Sequence, residues 1–125
     1  MNLLLDTHTL LWWLGKDPTL SKNARTAIRD NRNVIFVSAA TAWEITIKKA
    51  LGKLQTPDNL EEALEVNQFL PLPITIRHAL AVGELPPIHQ DPFDRVLVAQ
   101  AKVEGLTLVT RDEDIQKYRV PFIAA

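Results

Sequence analysis

The sequence predicts an α/β protein in which a mainly parallel sheet is covered by helices on both faces. Two observations carry this. Short apolar runs of strand length alternate with longer amphipathic segments of helical period, the signature of βα units. The chain, 125 residues and 46% apolar, also has the size and apolar content to bury one core without disulfides or a structural metal. No internal repeat, low-complexity tract or interdomain linker interrupts it, so residues 1–125 are expected to form a single domain.

Asn2 to Leu5 reads as a buried strand, and Leu10 to Leu14 begins a helix. Ser21 caps a second helix running to Arg29 or beyond, and Asn33 to Val37 is the second strand. Ser38 caps a long helix that carries Ala40, Trp43, Ile47, Leu51 and Leu54, with Gly52 in its later part and Pro57 at its end. Asp58 to Gln68 is helical and Phe69 to Pro73 extended. Thr75 to Gly83 is again helical, and Glu84 to Gln90 is a proline-punctuated loop. Pro92 suits the first position of a helix that Gly105 ends. The strand Leu106 to Val109 follows, and Val120 to Ile123 reads as an edge strand.

Composition narrows function. The chain has no cysteine, consistent with a reducing compartment. Its apolar start is interrupted by Asp6 and His8 and is not preceded by a basic segment, and no run approaches the ~20 apolar residues of a membrane span. A soluble, cytoplasmic protein is expected. The formal charge of −1 gives no sign of nucleic-acid binding. Lys22, Arg25, Arg29 and Arg32 nevertheless recur at helical spacing, as either a solvated face or a phosphate-facing stripe.

Four acids stand beside segments expected to be buried: Asp6, Glu44, Asp94 and Asp112. Carboxylates gathered in a low-dielectric site repel one another and lose hydration, so a cluster of them calls for a cation. With no Cys and no His pair, oxygen donors favour Mg²⁺ or Mn²⁺ over zinc. Asp6 and Asp112 follow strands and can project at the same carboxyl edge, where such sheets bind ligands; each could instead simply cap the next turn. Glu44 lies within ~20° of Leu51 and ~40° of Ala40 on the helical wheel, which draws it inward, with a surface ion pair to Lys48 as the alternative. Asp94 shares a helix face with Leu97, Val98 and Ala101. Asp91, before Pro92, reads as an N-cap, with an outer contact to the metal as a lesser role. Asp114 competes with Asp112 for the fourth position. His8, His78 and His89 have no ligand spacing and read as surface or core residues. Trp12 and Trp13 read as core or oligomer contacts, with base stacking as the alternative.

The segments Leu3-Leu4-Leu5-Asp6-Thr7, Ala42-Trp43-Glu44-Ile45, Asp91-Pro92-Phe93-Asp94-Arg95 and Leu108-Val109-Thr110-Arg111-Asp112 together resemble the PIN-domain nucleases, and closely the VapC-like toxins of bacterial toxin–antitoxin pairs. The resemblance implies a three-layer α/β/α sandwich and a Mg²⁺- or Mn²⁺-dependent endoribonuclease site. Asp6, Glu44 and Asp94 are then the core catalytic and metal-binding acids, and Asp112 the more variable fourth. It also implies an RNA substrate and a VapB-like antitoxin encoded nearby; the assembly expected is a homodimer. Hydrolysis through an activated water leaves a 5′-phosphate and a 3′-hydroxyl. Thr7 and Thr110 are candidate hydrogen-bond partners of the acids. Two other classes compete. An aspartate-dependent phosphatase or phosphoacceptor domain also places Asp after the first strand, but the former normally carries a second Asp where this chain has His8. A non-catalytic PIN-fold binding module is expected to lose site acids, and all four are present.

Overall fold

The computed structural model describes residues 1–125. Strands Asn2–Leu5 (β1), Val34–Ser38 (β2), Leu70–Leu72 (β3), Thr107–Thr110 (β4) and Phe122–Ala124 (β5) form one sheet in the order β3-β2-β1-β4-β5. Every pairing is parallel, with Leu5 opposite Val37 on one side and Val109 on the other. Seven helices connect the strands: Thr7–Leu14 (α1), Lys22–Arg29 (α2), Ala39–Ala50 (α3), Leu60–Val66 (α4), Ile76–Val82 (α5), Pro92–Glu104 (α6) and Glu113–Gln116 (α7).

The uninterrupted Leu3-Leu4-Leu5 run explains the three layers. Successive strand residues point to opposite faces, so a central parallel strand must be apolar at every position. Leu3 and Leu5 enter one core with Leu10 of α1, Ala24 and Ile28 of α2, and the half-buried Leu60 and Leu64 of α4. Leu4 enters the other with Leu97, Val98 and Ala101 of α6 and Ile115 of α7. Helix α3 touches both, through Ile45 and Ala40. The expected α/β/α sandwich is therefore present. Chain order reverses on either side of β1, which places a topological switch point between β1 and β4, where open α/β sheets leave a crevice for ligands. No helix is long and apolar enough to cross a membrane.

Several elements differ from the sequence reading. Helix α1 starts at Thr7, three residues before Leu10, because the Asp6 side chain caps it. Helix α3 ends at Ala50 instead of running on towards Pro57, since Gly52 turns the chain with φ 70°. Its buried face consists of Ala40, Thr41, Glu44 and Ile45, whereas Trp43 and Leu51 of the expected apolar stripe are 60% and 62% exposed. Helix α4 is shorter at both ends than Asp58 to Gln68, and β5 begins at Phe122 rather than Val120.

Gly105 ends α6 in the left-handed region, φ 67°, with open space where a Cβ would stand. A side chain there meets only its own backbone penalty. Gly105→Ala is expected to lower the unfolding free energy by about 1 kcal/mol, measured by urea titration, without altering the site.

Candidate active site

At the carboxyl end of β1 the chain turns straight into α1, and Asp6 occupies the turn. Its Oδ1 accepts from the Thr9 amide at 2.8 Å and its Oδ2 from the Thr110 hydroxyl at 2.6 Å. The first bond caps α1; the second ties the end of β4 to the end of β1 across 104 residues of sequence. Thr110 Oγ1 also accepts from the Asp112 amide at 3.0 Å, so one hydroxyl sets two of the acids against each other.

Glu44 reaches the same edge from α3. It is 3% exposed. Its Oε1 accepts from the Thr7 hydroxyl at 2.6 Å, while Oε2 is paired with Lys48 one turn on. Both readings of this residue hold, because the i,i+4 pair forms around a carboxylate that is itself buried. Asp94 comes from the first turn of α6, where Asp91 caps the helix by accepting from the Phe93 and Asp94 amides. Asp112 caps α7 through Oδ1, leaving Oδ2 to turn towards the cavity, where His89 meets it. The capping roles of Asp6 and Asp112 are thus real, and they aim the carboxylates rather than exclude them from a site.

The four acids line a single open cavity of about 390 Å³ with Asp91 and His8. Asp114 does not line it, although its carboxylate, that of Asp112 and the His89 ring can come within 4.8 Å of one another; it is also engaged by Lys117 at 3.2 Å. His78 is a core residue, 1% exposed, that closes a capping box with Thr75 and contacts Glu104. The four basic residues do not extend the acid site, and Lys22 and Arg29 are exposed on α2. Arg25 donates to the Asp17 and Leu20 carbonyls, Arg32 lies beyond α2 and pairs with Asp30, and none of the four basic residues lines the acid cavity.

His89 departs most from the sequence reading, which treated it as packing or surface. Its Nε2 lies 3.0 Å from both Asp94 Oδ2 and Asp112 Oδ2, and Nδ1 accepts from the Asp91 amide at 3.1 Å. That amide keeps a lone pair on Nδ1 and so places the proton of a neutral ring on Nε2, pointing at the acids. Arg95 fixes the loop by donating to the Val82, Pro86 and His89 carbonyls. No helical spacing announces this histidine. The signal was its position two residues before the Asp91 cap, in a loop short enough to fold back on α6.

The electrostatics reflect crowding. Burial pushes the Asp6 carboxyl above its ordinary range against the lowering effect of its Thr110 and Thr9 bonds. Asp94 is pushed up to about 7, first by burial and then by the neighbouring charges of Asp91, Asp6 and Glu44. For Asp112 burial acts upward too, but the bonds from His89 and from the Ile115 and Asp114 amides outweigh it and its carboxyl sits below the ordinary range. Burial depresses His89, yet the Asp112 bond and the charges of Asp94 and Asp112 carry it net upward. The Lys48 ammonium is raised mainly by its bond to Glu44.

A folded Asp94 that keeps its proton until about pH 7 contributes stability in full below the unfolded value of ~3.9, and loses that contribution as pH rises through 7. In EDTA, the wild type is expected to lose stability relative to Asp94→Asn between pH 4 and 7, by up to roughly 4 kcal/mol. At pH 8 the variant should therefore melt at or above the wild type in a calorimetric scan. A variant melting several degrees lower at pH 8 would mean that structural contacts of Asp94 outweigh the repulsion.

Comparison with known proteins gives this geometry a context. The chain is 28% identical over 130 residues to Ribonuclease VapC22 of Mycobacterium tuberculosis, an alignment covering 95% of this chain and 93% of that protein. Its fold is similar to a chain in the crystal structure of VapBC2 from Rickettsia felis bound to a promoter DNA fragment, with TM-score 0.74 at 17% identity, covering 100% of this chain and 99% of that one. It is likewise similar to a chain of the DNA-bound VapBC from Salmonella typhimurium, with TM-score 0.67 at 17% identity, covering 99% and 98%. The PIN domain family model matches residues 3–121, nearly the full length and all four acid-bearing segments, and the chain belongs to the PIN domain family.

Proposed function

We propose that this chain is a divalent-metal-dependent endoribonuclease and the toxin of a VapBC-type toxin–antitoxin pair, with Asp6, Glu44, Asp94 and Asp112 as its catalytic acids. The observation that carries the reading is the gathering of four carboxylates from β1, α3, α6 and the end of β4 around one cavity in a PIN domain. The near-full-length similarity to a protein named a ribonuclease supports the activity, and the fold similarity to VapBC complexes supports the partner. Residues 1–125 act in this reading as one catalytic domain, in the cytoplasm and as a homodimer. The aspartate-phosphatase alternative is not favoured, since position 8 offers an exposed imidazole stacked on Trp12 in place of a second acid.

The donor set fits a hard divalent ion. Its donors are carboxylate oxygens, and Asp94 shows the repulsion that a cation relieves. Asp6, Glu44, Asp94 and Asp112 would hold Mg²⁺ or Mn²⁺, which when bound supplies Lewis-acid stabilisation of phosphate charge and acidifies water. The chain's own residues do the rest. Thr7 and Thr110 orient Glu44 and Asp6 through their hydroxyls. His89 spans Asp94 and Asp112 and sets their separation. Lys48 and Arg111 offset the acids at the cavity wall, where they draw the phosphate of an approaching strand. In-line attack by water forms a new P–O bond and breaks the bond to the 3′ oxygen, leaving a 3′-hydroxyl and a 5′-phosphate. The 2′-hydroxyl takes no part, so a restriction to RNA arises from shape and unpaired loops.

Purified protein is expected to cleave structured RNA in Mg²⁺ or Mn²⁺ and to stop in EDTA, with 5′-phosphate ends identified by sequencing. Asp6→Asn or Asp94→Asn should each reduce the rate on the order of 100-fold or more and abolish growth arrest on expression. Cleavage that survives exhaustive chelation rules the site out.

A second expectation concerns the partner. The acids attract cations, so the antitoxin places an Arg or Lys against them while its apolar side chains enter the cavity of about 450 Å³ beside Trp12 and Trp13. Replacing that basic residue by Ala should restore part of the RNA cleavage without dissolving the complex on a sizing column. Full activity within an intact wild-type complex would exclude direct occlusion.

A further inference from the structure

Among the residues lining the acid cavity, Trp12 is the one hydrophobic side chain. It does not stand alone. His8, one turn earlier on α1, stacks on it with ring centroids 5.8 Å apart and planes at 30°. From the other end of the sequence, the Arg111 guanidinium lies over the indole, 3.8 Å from its centroid. All three side chains face the cavity.

The group is held in place from behind. Trp12 is half-buried and packs against the core formed by β1, α1 and α2. Arg111 Nη2 donates to the Thr19 carbonyl at 2.7 Å and to the Ala125 carbonyl at 3.1 Å, which leaves Nη1 and Nε without a partner in the protein. His8 is exposed, so its ring offers an open face. The result is a fixed stack in which the Arg111 guanidinium covers the indole and the exposed His8 imidazole carries the open face, beside carboxylates that on their own repel a phosphodiester.

That combination is what single-stranded nucleic acid binds: an aromatic face for the base and a guanidinium for the backbone. A base within a duplex has both faces covered by its neighbours and cannot use such a surface. We propose that His8, Trp12 and Arg111 form a nucleobase ledge that stacks an unpaired base next to the phosphate being cut, with the free Arg111 nitrogens taking that nucleotide's phosphate. The proposal rests on the ribonuclease reading and assigns the residues that hold the nucleotide flanking the cut.

The test measures binding and cleavage separately. Affinity for a fluorescent single-stranded RNA oligonucleotide is read by anisotropy in Ca²⁺, for the wild type, His8→Ala, Trp12→Ala and Trp12→Phe. Trp12→Ala should weaken binding about 5- to 100-fold, the range of one lost base stack, and Trp12→Phe should recover most of it. His8→Ala removes the ring that offers the open face and should weaken it by about 5- to 100-fold as well. The same RNA annealed to its complement should bind wild type and Trp12→Ala alike. In Mg²⁺ the variants should raise KM and leave kcat within a few-fold.

A scan of single abasic sites through the RNA needs no mutation and so does not depend on Trp12→Ala folding well. One position should reproduce the loss with the wild type and add nothing further with Trp12→Ala. Wild type that binds no single strand, or variants and abasic RNAs that all bind within twofold of the parent pair, overturn the ledge. Trp12-dependent binding without cleavage keeps the ledge and defeats the ribonuclease reading. Cleavage with Trp12-independent affinity does the opposite and leaves the ring to a protein contact.

Discussion

The bonds to the Asp6 carboxylate are the constraint on which the rest of the site depends. One oxygen caps α1 and the other holds Thr110, so both oxygens of a buried carboxyl are hydrogen-bonded where β1, α1 and β4 meet. Burying a carboxylate without partners is costly; burying one with two short, well-directed donors fixes the surrounding chain. The Asp6 amide adds a bond to the Val109 carbonyl, and the Thr9 hydroxyl adds another to the same oxygen. The strand ends cannot slide relative to each other without breaking this set. Because Thr110 also holds the Asp112 amide, the position of the fourth acid is inherited from the first.

Around that anchor the protein carries its own positive groups and hydrogen-bond donors. Lys48 sits on Glu44, His89 lies between Asp94 and Asp112, and Arg111 stands at the rim. These groups lower the repulsion among acids that the fold forces together, and Asp94, whose carboxyl is still pushed up to about 7, marks where they fall short. The arrangement is a compromise between the repulsion of buried acids that folding must overcome and a cavity wall that stays rich in carboxylates.

The parts legible in the sequence were those with local causes. The Leu3-Leu4-Leu5 run, the Ser21 and Ser38 caps, Pro92 after Asp91 and Gly105 after Glu104 each determine a boundary by short-range sterics or hydrogen bonding, and each lies where expected. The inward turn of Glu44 was read correctly on a partly wrong ground, because the neighbours that bury it are Ala40, Thr41 and Ile45 while Leu51 points to solvent. Helical periodicity does not say which of two adjacent faces meets the sheet. His89 was missed for a different reason. Its contacts come from a loop folding onto helices α6 and α7, a tertiary event with no period to detect.

The long separation between the joined residues has a temporal side. Asp6 leaves the ribosome early, whereas Thr110 and Asp112 follow more than 100 residues later, and β1 cannot complete its pairing until β4 has been made. A translation product that stops short of Asp112 cannot hold all four carboxylates. Local helices can form along the way, but the cavity closes only with the last crossover, a late and non-local step. A chain broken off before β4 therefore lacks Thr110 and Asp112, and with them the bonds that tie the Asp6 edge together.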